Sequence, residues 1–190
     1  MQFVFATNNK HKLEEARHIL KNHEILSLAD LNISVDIPED FETLEENAMQ
    51  KAKFIHKLTG MNVFADDTGL EIEALDGRPG VYSARYAGEG CTFEDNVKKV
   101  LKELKGIENR NAAFVTVVAL IVSGQEYFFR GEVCGRITET SSGLEGFGYD
   151  PVFVPHGYEQ TFAQMPASLK NSISHRAIAF QKVGDFFKED

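Results

Sequence analysis

Apolar positions along this chain alternate between short continuous runs and the three-and-four spacing of amphipathic helices, a pattern that predicts an α/β fold. Gln2 to Ala6 reads as a first strand, after which Leu13, Ala16 and Leu20 recur at helical spacing. A strand therefore passes into a helix through Thr7-Asn8-Asn9-Lys10-His11-Lys12, as in a βα loop. Ala48, Ala52 and Ile55 predict a second helix, Phe93, Val97, Leu101 and Leu104 a third, and Ile173, Ala177, Phe180 and Phe187 a last. Val63-Phe64-Ala65 reads as a short buried strand. Phe114 to Val122 is almost continuously apolar, which suits a strand covered on both faces. Ser123-Gly124-Gln125 turns it into a strand from Tyr127 to Ile137, so the two form a long antiparallel hairpin. The result is a mixed, partly antiparallel sheet with flanking helices and no internal repeat or linker. The Thr, Ser and Gly content of Arg136 to Gly148 marks a candidate mobile loop.

Composition narrows the class. At 190 residues, one domain over residues 1–190 is expected. The apolar stretch Ala112 to Val122 falls short of the roughly 18 residues of a membrane-spanning helix, and the N-terminus shows no leader pattern, so a cytoplasmic location is expected. Cys91 and Cys134 form no Cys-x-x-Cys pattern and are expected as reduced core residues. A formal net charge of −9 opposes sequence-independent binding to nucleic acid or an anionic membrane, so an anionic ligand needs a local cationic pocket.

Chemistry concentrates at Ala65-Asp66-Asp67-Thr68-Gly69-Leu70, where two adjacent carboxylates follow the apolar run. Adjacent aspartates repel, and are tolerated best when a cation holds at least one of them ionised or when both reach solvent. Gly69 is expected to let the backbone turn sharply there. A divalent-metal site and an ordinary polar turn both fit these residues. Thr7, Asn8 and Asn9 stand at a helix start, where free N–H groups and the dipole favour phosphate, with Lys12 one turn on; Asn8 or Asn9 also fits as a simple cap. Glu46 can join Asp67 on a metal, and Thr43-Leu44-Glu45-Glu46 is also a capping box. Gly146-Phe147-Gly148-Tyr149-Asp150-Pro151 sets aromatic rings between glycines, suiting either a flat ligand or a tight turn with its rings in the core. Lys170-Asn171-Ser172-Ile173-Ser174-His175-Arg176 places cations around a helix start, where they call for an anion or carbonyl acceptor unless they are solvated.

Together these segments resemble the Ham1-like inosine/xanthosine triphosphate pyrophosphatases. The resemblance runs in order through Phe5 to Lys12, Glu46-Asn47-Ala48 with Lys51-Ala52, Ala65 to Leu70, Pro79 to Tyr86, Gly146 to Pro151 and Ser174-His175-Arg176. It implies an elongated, two-lobed α/β structure with a mixed sheet and a central cleft, assembled as a homodimer. The substrate-binding set it implies comprises the triphosphate loop Thr7, Asn8, Asn9, Lys10, His11 and Lys12, then Thr68, and a base-recognition group of Phe147, Gly148, Tyr149, Asp150, Lys170, His175 and Arg176. Glu46 and Asp67 correspond to its Mg2+ carboxylates, and Asp67 to its proton acceptor. Asn8 and His11 replace small residues common in the family's phosphate loop, so their side chains must point outward or the loop must shift.

The activity implied is hydrolysis of non-canonical purine nucleoside triphosphates to monophosphate and pyrophosphate. Deamination of adenine turns a 6-amino donor into a 6-keto acceptor, so donors such as Lys170, His175 and Arg176 can select inosine over adenosine. A Maf-type nucleotide pyrophosphatase and a non-catalytic nucleotide sensor are the alternative readings.

Overall fold

The computed structural model describes residues 1–188. The described residues fold as an α/β protein with five α-helices and a mixed seven-stranded sheet. Strands β1 (Gln2–Phe5), β2 (Glu24–Leu26), β3 (Val63–Ile72), β4 (Pro79–Gly80), β5 (Asn111–Val122), β6 (Gln125–Ile137) and β7 (Phe153–Pro155) run in the order β2-β1-β3-β5-β6-β7, with β4 on β3. The helices are α1 (Lys10–Ile19), α2 (Leu44–Thr59), α3 (Phe93–Glu103), α4 (Ala167–Ile173) and α5 (His175–Phe186). β1 pairs parallel with β2 and β3, whereas β4 pairs antiparallel with β3 and β7 antiparallel with β6.

The chain divides into two compact units. The first comprises Met1–Asp67, Thr116–Gly131 and the chain from Arg176. Its core gathers Phe3, Phe5, Ala16, Phe64, Leu120 and Phe180, and Phe5, Phe64 and Phe180 meet ring to ring at 4.6–5.7 Å. The second comprises Thr68–Val115 and Glu132–His175, around Leu70, Val100, Phe114, Phe153 and Phe162. In the second unit Phe114 packs on Phe153 at 4.7 Å and on Phe162 at 6.1 Å.

Local signals set most element ends. Asn9 caps α1, so Lys10, His11 and Lys12 form its first turn instead of lying in the preceding loop. Thr43 caps α2, and Gly60, at φ 67°, closes it in the left-handed region. Ser123 and Gly124 both have positive φ, as a two-residue type I′ turn requires, and join β5 to β6 as an antiparallel hairpin that begins at Asn111 and resumes at Gln125.

Several expectations need correction. The last helix is two, α4 and α5, because Ser174 is extended (φ −69°, ψ 155°) between them. Arg136 and Ile137 end β6, where the expected strand ends, and residues 138–148 are an irregular loop that bonds to the chain beyond it through Thr138 N–H to Val152 O (2.8 Å), Ser142 N–H to Pro151 O (2.8 Å) and Glu145 N–H to Ala163 O (3.1 Å). The cysteines are unpaired but not core residues: Cys91 is half-buried and Cys134 exposed.

The largest departure is β3. Asp66 and Asp67 lie in the middle of a ten-residue strand, not at the end of a short one, and the strand continues through Gly69 without a turn. The reason for glycine is close approach: a Cβ there would sit 2.9 Å from the Gly80 carbonyl oxygen and 3.0 Å from its carbon, on the strand that pairs with β3 at Leu70 and Glu71. Gly69→Ala is therefore expected to force β4 away from β3 and cost about 1–3 kcal/mol, within the range for overpacking. Chemical denaturation checks this, and an unchanged midpoint would mean that β4 yields freely.

Candidate active site

In the first unit the segment from β1 to α1 is ordered by its own side chains. Asn9 N–H donates to Thr7 Oγ1 (3.1 Å), and Asn9 Oδ1 accepts from the N–H groups of His11 (3.0 Å) and Lys12 (3.3 Å). Capping thus falls to Asn9, while the Asn8 amide donates to Val35 O at 3.4 Å. Asn8, Lys10 and His11 are exposed, so the two bulky replacements point outward as the loop requires. Lys12 instead turns inward, placing Nζ 3.0 Å from Asp66 Oδ2 and 3.1 Å from Oδ1.

Asp66 is the centre of a buried charge chain. Lys12 meets it from α1, and Arg176 Nε donates to Oδ2 at 3.3 Å from the first turn of α5. Arg176 also ion-pairs with Glu15, three residues beyond Lys12 and so on the same side of α1. Burial alone would push Asp66 up, but the Lys12 ammonium and Arg176 guanidinium outweigh it and hold its carboxyl far below the usual carboxylate range. Lys12 moves down because burial exceeds the help it draws from Asp66. Arg176 is raised, since Glu15 and Asp66 outweigh the desolvation that burial imposes.

Asp67, the next residue, has the opposite tendency. Burial raises it, and the opposing cations Lys51 and Lys12 do not cancel that effect. Lys51 Nζ lies 3.4 Å from Asp67 Oδ1 and also ion-pairs with Glu39. For Lys51 burial works downward, but Asp67 and Glu39 overcome it and raise the ammonium. Two carboxylates, Glu39 and Asp67, therefore share one cation. Glu46 is exposed and bound to the helix cap, where half of the expected capping box forms: Glu46 N–H donates to Thr43 Oγ1 at 3.2 Å, while Thr43 Oγ1 donates to Glu46 Oε2 at 2.7 Å. Among the described residues no group of three or more His, Cys, Asp or Glu side chains is gathered as for a protein-only metal cage.

The second unit gathers a different set. Asp150 Oδ2 accepts from Lys170 Nζ (2.7 Å) and from Phe147 N–H (2.8 Å), and the same ammonium lies 5.1 Å from the Phe147 ring centroid. Gly146 permits this, because a Cβ on it would lie 2.1 Å from Asp150 Oδ2. Phe147 and Gly148 are half-buried. Tyr149 is a core residue whose hydroxyl donates to Ser83 O at 2.8 Å. His175 is 4% exposed and stacks on Phe114 at 4.5 Å with an interplanar angle of 12°. Thr68 is half-buried and follows Asp67 directly along β3.

The charged residues expected to read the base are each held by a partner. Lys170 pairs with Asp150 in the last turn of α4 and His175 stacks in the second unit, whereas Arg176 joins Asp66 and Glu15 in the first. None is the solvated terminal charge that its position also allowed, since all three are at most 6% exposed. Glu39 and Glu15 stand in no motif, and Lys51, though part of the Glu46 to Ala52 motif, carried no expected role. The signal for the lysine was present: Ala48, Lys51, Ala52 and Ile55 share the buried face of α2, and a lysine on such a face needs a carboxylate.

Comparison with known proteins agrees with these motifs. The Ham1 family profile matches residues 3–186. The dITP/XTP pyrophosphatase of Flavobacterium johnsoniae is 49% identical over 186 residues, 97% of each chain, and that of Thermoanaerobacter pseudethanolicus is 46% identical over 190 residues, 98% of this chain and 96% of the relative. Among solved structures, the Staphylococcus aureus Ham1 protein superposes with a TM-score of 0.90 at 37% identity, covering 100% of this chain and 99% of that one. A HAM1 protein from Coxiella burnetii gives 0.92 at 34% identity, with both chains fully covered. With the motifs in order, the profile matched over nearly the whole length and the fold shared at this level, the chain belongs to the Ham1 family.

Proposed function

We propose that this chain hydrolyses non-canonical purine nucleoside triphosphates (ITP, dITP and XTP) to the monophosphate and pyrophosphate, with Mg2+ as cofactor. The observation that carries the reading is the pair of neighbouring aspartates on β3, with Asp66 bound to Lys12 and Arg176 and Asp67 beside the Lys51 ammonium that Glu39 also holds. The names of the relatives, dITP/XTP pyrophosphatase at about half identity over nearly full length, support the substrate class.

The donor set suits magnesium, which takes one or two protein carboxylates and completes its shell with phosphate and water. Glu39 and Asp67 already share one ammonium, a sign that their carboxylates can serve a common cation, and Glu46 is an exposed carboxylate at the start of α2. Asp67 with Glu46 would hold the metal, with phosphate and water completing its shell. Bound there, magnesium would neutralise charge on the phosphate chain.

The chain's own residues do the rest in this reading. Thr7, Asn8, Asn9, Lys10, His11 and Lys12 receive the triphosphate at the positive end of α1, with Asp66 holding the Lys12 ammonium in place. Asp67 takes the proton of the water that attacks the α-phosphorus. Thr68, Phe147, Gly148, Asp150, Lys170, His175 and Arg176 meet the nucleoside, and Tyr149 supports them by holding Ser83. Lys170, oriented by Asp150, offers a donor to a 6-keto oxygen and a mismatch to a 6-amino group. Donors committed in this way can discriminate by about 10⁴-fold, because the wrong base leaves them unpaired.

We also propose that the two units act as one catalytic domain, in a cytoplasmic homodimer. Among the described residues no helix is long and apolar enough to cross a membrane.

Pyrophosphate release from inosine, xanthosine, guanosine and adenosine triphosphates, measured side by side, tests the activity. Release is expected from the inosine and xanthosine nucleotides and is expected to stop when a chelator removes magnesium; release of orthophosphate, or turnover unaffected by chelation, contradicts the reading. Asp67→Asn is expected to keep the fold and lower kcat by about 10²–10⁴-fold, the usual contribution of a general base. Near-normal turnover in that variant, with circular dichroism showing a folded protein, would remove Asp67 from the chemistry.

A further inference from the structure

The helical spacing places Phe93 with Val97, Leu101 and Leu104 on one apolar face, yet Phe93 is 47% exposed while Val97 and Leu104 are buried. It is the first residue of α3, and its ring centroid lies 6.0 Å from that of Phe147 at an interplanar angle of 45°. Both rings stand on fixed backbone. The start of α3 is held by a capping box, in which Thr92 N–H (2.9 Å) and Thr92 Oγ1 (2.6 Å) donate to Asp95 Oδ2, and by the buried Asn96, whose amide donates to Ala84 O (3.1 Å) and accepts from Ala87 N–H (2.7 Å). On the other side, the Phe147 N–H is held by Asp150, whose carboxylate fills the space that a Cβ on Gly146 would occupy. Lys170 stands 5.1 Å from the Phe147 ring. An apolar aromatic surface with a fixed cation over part of it suits a flat heteroaromatic ring that carries a carbonyl.

We propose that Phe93 is a specificity-determining residue, a second ring that widens the Phe147 surface to the breadth of a bicyclic purine. The proposal rests on the reading of Phe147 and Lys170 as nucleobase contacts. A base lying on Phe147 meets Phe93 along its side, because the 45° tilt makes Phe93 a flank and not a second parallel face. A purine reaches that flank; a single pyrimidine ring held by the same carbonyl contact is shorter and gains less from it.

The test compares wild type with Phe93→Ala, Phe93→Tyr and Phe147→Ala by KM and kcat for inosine and uridine triphosphates, together with the inhibition constant of inorganic tripolyphosphate, a base-free probe. Phe93→Ala is expected to raise KM for the inosine nucleotide by about tenfold, the scale of one aromatic stacking contact, with the effect on KM larger than on kcat. It should narrow the preference over uridine triphosphate by a similar factor and leave tripolyphosphate inhibition unchanged. Phe93→Tyr, which keeps the ring, should restore KM. An unchanged KM in Phe93→Ala alongside an impaired Phe147→Ala would overturn the role of Phe93 alone. A KM unaltered by Phe147→Ala would instead overturn the nucleobase reading itself. If tripolyphosphate inhibition weakens in step with KM, Phe93 acts through the fold, and the proposal fails.

Discussion

Asp66 sits in the middle of a strand, buried, with a second carboxylate beside it, and the first unit is arranged so that this charge can exist there. An isolated buried carboxylate costs several kcal/mol in lost hydration, so it persists only with close, well-oriented partners. Asp66 has two, Lys12 and Arg176, drawn from helices at opposite ends of the sequence. Their recruitment explains features that otherwise look unfavourable: a lysine turned inward from the first turn of α1, and an arginine at the positive end of α5 that needs Glu15 as well as Asp66 to balance it. Removing one partner of such a set leaves the others as uncompensated buried charge, on the order of 3–5 kcal/mol.

That arrangement also separates the two aspartates chemically. Every cation that lowers Asp66 also helps to hold its negative charge beside Asp67, where burial and like charge favour the protonated form. Identical side chains one residue apart therefore take different tasks, one a fixed anchor for cations and the other a carboxyl able to exchange a proton. Lys51 moderates the second by lying between Asp67 and Glu39. In the second unit the same logic recurs on a smaller scale, with Asp150 holding both the Lys170 ammonium and the Phe147 backbone, so that donor and ring are set by one carboxylate.

The elements that periodicity could see were read well, because their apolar faces are what the cores bury: α2 and α3, the β5–β6 hairpin and the capped start of α1. What failed was pairing across long sequence distances. Two adjacent aspartates and a glycine look like the end of a strand, and only the cations from α1 and α5 and the close approach of Gly80 explain why β3 runs on to Ile72. The split at Ser174 was hidden because Ile173, Ala177 and Phe180 keep helical spacing across it. Family motifs located Lys12, Asp67 and Asp150, whereas Glu15 and Glu39 stand in no motif and are visible only through the buried cations they serve. Phe93 shows the reverse error, a residue that fits an apolar pattern yet lies in solvent beside Phe147.

The division of labour between the two aspartates can be observed directly by carbon-detected NMR of the Asp66 and Asp67 carboxyl groups through a pH titration of the folded, metal-free protein. The account predicts that Asp66 stays ionised throughout the folded range while Asp67 takes up a proton above the ordinary aspartate value. Protonation of Asp66 before Asp67 would contradict it.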